Sequence, residues 1–147
     1  MTQICNDRGR AIIKSAESLR LMAYQDTGDV WTIGWGHTHG VKPSDTCDEA
    51  QAQRWFDEDV ASAEDAVRNI IHVPLNDNQF SALVSFAFNV GFVRFAKSTL
   101  AAQLNAGDYT APRREMPKWK FDNGNIQPGL VKRRATELAL FNTGEET

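Results

Sequence analysis

The sequence predicts an α+β, mostly helical fold: a small N-terminal helix-plus-β-hairpin lobe packed on a larger helical lobe. Three observations predict it. Apolar residues Ile12, Ala16 and Leu19 recur at helical spacing across residues 8–22. Residues 30–37 are rich in Trp, Thr and Ile and follow the turn-forming Thr27-Gly28-Asp29. Residues 76–91, "NDNQFSALVSFAFNVG", are apolar on nearly all sides, the pattern of a helix buried at a domain centre.

The elements follow in order. Residues 8–22 read as a first helix, and residues 30–37 as a hairpin or small sheet. "TCDE" at residues 46–49 fits a capping box in which Thr46 accepts from a free backbone N–H and Glu49 reaches back. A long helix then carries Ala52, Trp55, Phe56, Val60, Ala63 and Val67 on one stripe and its acids on the other, until Pro74 ends it. Gly91 is the natural C-terminal residue of the buried helix, with an exit loop beyond it. A short helix spans residues 98–105 and ends at Gly107. Pro112 and Pro117 keep any helix before Lys120 short or kinked. "NGNIQPG" reads as a loop, and residues 130–141 as the last helix.

The 147 residues suit one domain, residues 1–147, with two lobes of roughly 10–60 and 61–147 sharing a cleft. Hydrophobic residues make up 41% and charged residues 24%, which excludes disordered and collagen-like classes. No apolar run approaches the roughly 20 residues of a membrane span, and the N-terminus shows no signal-peptide core. Cys5 and Cys47 lack metal-ligand spacing, so two free thiols and no metal site are expected. The net charge of −3 argues against a dedicated nucleic-acid binder. Charge is uneven, with residues 45–65 acidic and residues 113–134 basic. Two solvated helix faces explain this simply, and a basic wall for an acidic polymer is the sharper alternative.

Glu17, Asp26 and Thr32 are the candidate constellation for chemistry, although two acids and a threonine within sixteen residues also occur in many proteins by chance. A helix running into a hairpin can bring two carboxyls and a hydroxyl to one cleft. Glycosidic hydrolysis needs one carboxyl protonated, to supply the leaving oxygen, and another ionised, to activate water or stabilise the oxocarbenium-like centre.

"ESLRLMAYQDTGDVWTIGWGHT" closely resembles the signature of the phage-type lysozymes, glycoside hydrolase family 24. "PLNDNQFSALVSFAFNVG", "STLAAQLNAGDY" and "PGLVKRRATELALF" resemble the family's central, following and C-terminal helices, so the likeness covers nearly the whole chain. The resemblance implies a lysozyme-like fold and a muramidase cutting the β-1,4 bond between N-acetylmuramic acid and N-acetylglucosamine in peptidoglycan. It implies Glu17 as proton donor, Asp26 as second catalytic carboxylate and Thr32 as the hydroxyl positioning water. Thr38, Phe88, Asn89 and Ser98 match substrate-binding positions, although Phe88 also reads as plain core. His37 and Asp59 match a supporting pair that ties the hairpin to the long helix, with the Asp59 carboxyl depressed by the histidine. Pro112 and Pro117 interrupt a segment commonly helical in relatives, with Arg113 or Arg114 near a sugar-contacting position.

The implied partner is the peptidoglycan glycan strand, with no cofactor, no nucleic acid and no stable membrane insertion. A monomer is expected in the host cytoplasm, reaching the wall when a separate membrane-permeabilising protein, a holin, opens a path. Lytic transglycosylase action usually lacks the paired acid, so Asp26 speaks against it. A non-catalytic wall-binding module is opposed by the intact Glu17, Asp26 and Thr32.

Overall fold

The computed structural model describes residues 2–144. Helix α1 (Asp7–Glu17) opens at Asn6, whose side chain accepts from Gly9 N, and stops at Ser18, which has φ 59°. The helix expected through residue 22 therefore ends at Glu17. Residues Arg20–Gln25 form strand β1 instead, antiparallel to β2 (Trp31–Gly34), with Tyr24 opposite Thr32. The other edge of β1 is also occupied, since Ala23 N donates to Asp45 O and Cys47 N donates to Leu21 O. Non-local backbone pairing on both edges outweighs the modest helix preference of this stretch.

The same pairing corrects the start of α2 (Glu49–Ile70). Residues 45–47 are held extended against β1, so the N-cap is Asp48, accepting from Gln51 N at 2.7 Å, rather than Thr46. At the other end α2 stops before Pro74. Asn105 takes over there, donating to Ile70 O at 2.8 Å and accepting from His72 N at 2.7 Å. Those two bonds satisfy Ile70 O, whose helical partner would have been the N–H that Pro74 lacks, and the N–H of His72 just past the helix end.

Helix α3 (Asp77–Val90) begins with a capping box made by Asn76 and Gln79 and ends at Gly91, φ 94°. Phe80, Leu83, Val84, Phe86 and Ala87 are fully or almost fully buried, as their all-round apolarity predicts. The exit loop expected after Gly91 is a short helix, α4 (Phe92–Ala96). Ser98 then caps α5 (Thr99–Asn105). The two prolines confine α6 to Ala111–Glu115 and a 3₁₀ turn to Met116–Lys118. "NGNIQPG" is not a plain loop: β3 (Phe121–Asp122) pairs with β4 (Asn125–Ile126) around Asn123 and Gly124, at φ 51° and 81°. Positive φ at both positions is what a two-residue hairpin turn requires, and Asn-Gly is its strongest sequence signal. Helix α7 (Pro128–Phe141) closes the chain.

α3 is the hub, packed against α1, α2 and α7. Phe86 meets both Phe95 and Trp119 edge-on, with centroids 5.9 and 5.7 Å away. Burying such a ring contributes roughly 1.5–3 kcal/mol. α1 approaches α3 so closely that a Cβ on Gly9 would lie 2.8 Å from Ser81 Cβ. This contact fixes where Glu17, the last residue of α1, emerges.

Candidate active site

An open cleft of about 730 Å³ lies where the end of α1, the β1–β2 turn, α3, α7 and the β3–β4 hairpin converge. Glu17, Asp26 and Asn89 line it, with Tyr24 and Trp119 among their neighbours. The end of α1 and the tight turn after β1 thus deliver two carboxyls to one space.

Each carboxyl is held by one oxygen. Arg133 Nη1, from α7, donates to Glu17 Oε1 at 2.8 Å. A Cβ on Gly36 would lie 2.5 Å from Glu17 Oε2, so the second oxygen rests against the backbone of a glycine whose φ is 78°. Only glycine meets both demands there, backbone angle and space. Asp26 Oδ1 accepts from Gly28 N and Val30 N, both at 2.9 Å, and so builds the turn that presents it. Asp26 itself lines the cleft.

Thr32 lies on β2 and is 4% exposed; its hydroxyl donates to Val30 O at 2.9 Å, and it lines neither this cleft nor the depression around His37. Asn89 accepts from Arg134 Nη2 at 2.8 Å. Thr38 and Phe88 line a second, adjoining depression of about 410 Å³ with Gly36, His37 and Asp59. Phe88 also packs on Phe56 at 6.4 Å, so it serves core and surface together. Ser98 lines neither cleft. Its hydroxyl donates to Phe95 O at 2.7 Å and accepts from Ala101 N, the work of a helix cap. Arg113 and Arg114 also lie outside both, and Arg114 is bound to Asp108.

His37 and Asp59 meet as expected, Nδ1 to Oδ2 at 2.8 Å. One inference about that pair is corrected. Burial pushes the Asp59 carboxyl up from its ordinary value, and the histidine's opposing effect does not cancel it. Burial, with the Glu17 charge second, likewise pushes the Tyr24 phenol up.

Sequence reasoning missed the floor of the cleft. Arg133 and Arg134 belong to the run read as a solvated face or a basic wall, yet they are 5% and 1% exposed and pair with the wholly buried Glu137. A signal was available: Arg133 and Arg134 lie four and three residues before Glu137, which lies three and four before Leu140 and Phe141, on the stripe where apolar residues belong. Among the described residues no cluster of His, Cys, Asp or Glu could hold a metal ion.

Comparison with known proteins matches residues 14–137 to the phage lysozyme family. The endolysin of Acyrthosiphon pisum secondary endosymbiont phage 1 is 40% identical over 142 residues, covering 94% of this chain and 97% of that one. The endolysin of Salmonella phage P22 is 38% identical over 146 residues, covering 96% and 99%. Among solved structures, the muramidase domain of SpmX from Asticaccaulis excentricus superposes with a TM-score of 0.86 at 35% identity, covering 97% of this chain and 99% of that one. With its family model spanning most of the chain and both carboxyls in one cleft, this protein belongs to the phage lysozyme family of glycoside hydrolases.

Proposed function

We propose that the protein hydrolyses the β-1,4 bond between N-acetylmuramic acid and N-acetylglucosamine in peptidoglycan, with Glu17 as general acid and Asp26 as second carboxylate. The observation that carries this reading is the convergence of Glu17 and Asp26 on one open cleft. The similarity to the two phage endolysins and to the SpmX muramidase domain supports it.

The geometry suggests how the roles divide. A guanidinium can only donate, so with Arg133 on Oε1 a proton carried by Glu17 sits on Oε2. That proton passes to the glycosidic oxygen as the bond to the anomeric carbon breaks. Asp26, with Oδ1 saturated by backbone N–H groups, takes a proton through Oδ2 from the water that attacks that carbon. Thr32, buried and lining neither cleft, has its proton engaged by Val30 and its lone pairs free, and is proposed to position that water through them. Thr38, Phe88 and Asn89 supply the walls that hold the glycan.

Water as nucleophile, attacking opposite Glu17, gives inversion. Early products from defined cell walls should carry reducing N-acetylmuramic acid ends of α configuration. Mainly 1,6-anhydro ends would establish transglycosylation, and β-configured reducing ends retention.

Among the described residues no helix is long and apolar enough to cross a membrane. Access to the wall through a separate membrane-permeabilising protein is part of the proposal. Expression should leave host cells intact until chloroform or such a partner breaches the membrane; prompt lysis without either would refute that dependence.

A further inference from the structure

Beneath the cleft, α7 carries three ionisable side chains where a helix normally buries apolar ones. Arg133, Arg134 and Glu137 are 5%, 1% and 0% exposed. Glu137 Oε2 accepts from Ser85 Oγ at 2.6 Å and from Arg133 Nε and Arg134 Nη2 at 3.3 Å. Arg134 Nε lies 2.8 Å from Oε1, close enough for ionic attraction but too poorly aligned for a hydrogen bond. Arg133 is pinned further by Nη2 donating to Ser85 O at 3.1 Å. Such buried ionic groups often add little to stability compared with apolar replacements. A purely structural reason for them is therefore weak.

Their outer ends supply another reason. Each arginine bridges Glu137 and a residue of the cleft: Arg133 reaches Glu17 and Arg134 reaches Asn89. The charges balance, two guanidiniums against Glu137 and Glu17, with Glu137 the only carboxylate of the two that lies wholly inside. We propose that Glu137 is a positioning residue for hydrolysis, setting Arg133 on Glu17 and Arg134 on Asn89 from behind. This rests on the reading of Glu17 as the general acid. Glu137 touches no substrate; it acts through the arginines.

The electrostatic consequence follows from the groups around Glu17. Arg133 faces it from α7, the Tyr24 phenol on β1 feels its charge, and Asp26 lines the same cleft. Neutralising Glu137 leaves Glu17 as the sole carboxylate set against both guanidiniums, which changes the charge around the reacting carboxyl as well as the hold on Arg133.

The test is Glu137→Gln, which keeps the shape and removes the charge, assayed on a soluble peptidoglycan tetrasaccharide with the fold checked by circular dichroism. Expected are a fall in kcat of about 10- to 100-fold, the scale of a modest misplacement of a catalytic group, a KM within about twofold, and a displaced alkaline limb of the kcat profile. Glu137→Asp, which retains the charge, should restore the limb. A folded Glu137→Gln enzyme with wild-type kcat and pH profile, or one merely less heat-stable, overturns the proposal. If Glu137→Gln does not fold, Ser85→Ala replaces it: this removes the hydroxyl holding Glu137 and should lower kcat about two- to tenfold, the scale of one hydrogen bond, and an unchanged kcat refutes the idea. Glu17→Gln is assayed in parallel. If it stays active, the general-acid reading fails and this proposal falls with it; if it is dead while Glu137→Gln is unaffected, only the positioning role fails.

Discussion

His37 Nδ1 lies 2.8 Å from Asp59 Oδ2, while the His37 ring stacks on Trp55 at 4.6 Å between centroids and 4° between planes. The loop after β2 is thereby clamped to α2 from two sides. Asp59→Ala leaves the imidazole N–H without its partner and should cost roughly 1–3 kcal/mol of stability. Denaturant unfolding measures it, and no loss would show the contact to be idle.

The pH dependence of that contact has a definite sign. The folded-state value of Asp59 is raised by burial, so the folded protein binds its proton more tightly than the unfolded chain does. The Asp59 carboxyl then favours folding below its unfolded value, and this contribution is lost as pH rises through the folded one. The stability of the wild type relative to Asp59→Asn should fall with rising pH across the carboxylate range. A difference that grows with pH would mean that the histidine's attraction outweighs burial.

Glu17→Gln keeps the shape of the side chain and removes the proton the reaction needs. Lysis of permeabilised bacteria should fall by about 10²–10⁴, the usual contribution of a general acid, with the thermal midpoint little changed. Near-normal clearing by a folded variant would remove Glu17 from the mechanism.

Gly36→Ala brings a Cβ to 2.5 Å from Glu17 Oε2 at a residue whose φ is 78°. The backbone strain alone costs about 1–2 kcal/mol. Displacing the carboxyl by about 1 Å should lower kcat by about 10²-fold. Activity unchanged in the folded variant would show that Glu17 tolerates movement.

Asn105→Ala removes both bonds that finish α2. Two hydrogen bonds of about 0.5–1.5 kcal/mol each predict a loss of about 1–3 kcal/mol, read as a lower thermal midpoint with kcat retained. An unshifted midpoint would show that water replaces the cap without cost.

Both cysteines are free, and burial pushes the Cys5 thiol up to about 12. A thiol-exchange reagent should label Cys47 slowly in the native protein, its thiol also being raised by burial and Asp48. Cys5 should react only on unfolding. Two thiols titrating at once would place Cys5 within reach of solvent.

The sequence by itself determined what depends on neighbours along the chain. All-round apolarity predicted a buried α3, the striped pattern from Ala52 to Val67 predicted α2, and Gly91 marked the end of α3. The resemblance implied Glu17 and Asp26, and the structure places both on one cleft. Tertiary structure decided what depends on partners remote in sequence. Residues 20–25 became a strand because β2 and residues 45–47 offered hydrogen bonds on both edges, a choice helical spacing could not reveal. Asp48 displaced Thr46 as the cap for the same reason. Arg133 and Arg134 read as surface charge until α7 packed on α3 and brought Glu17, Ser85 and Asn89 around them. Burying a cation is favourable only beside compensating groups, and here those groups come from residues as far back as Glu17, 116 positions before Arg133.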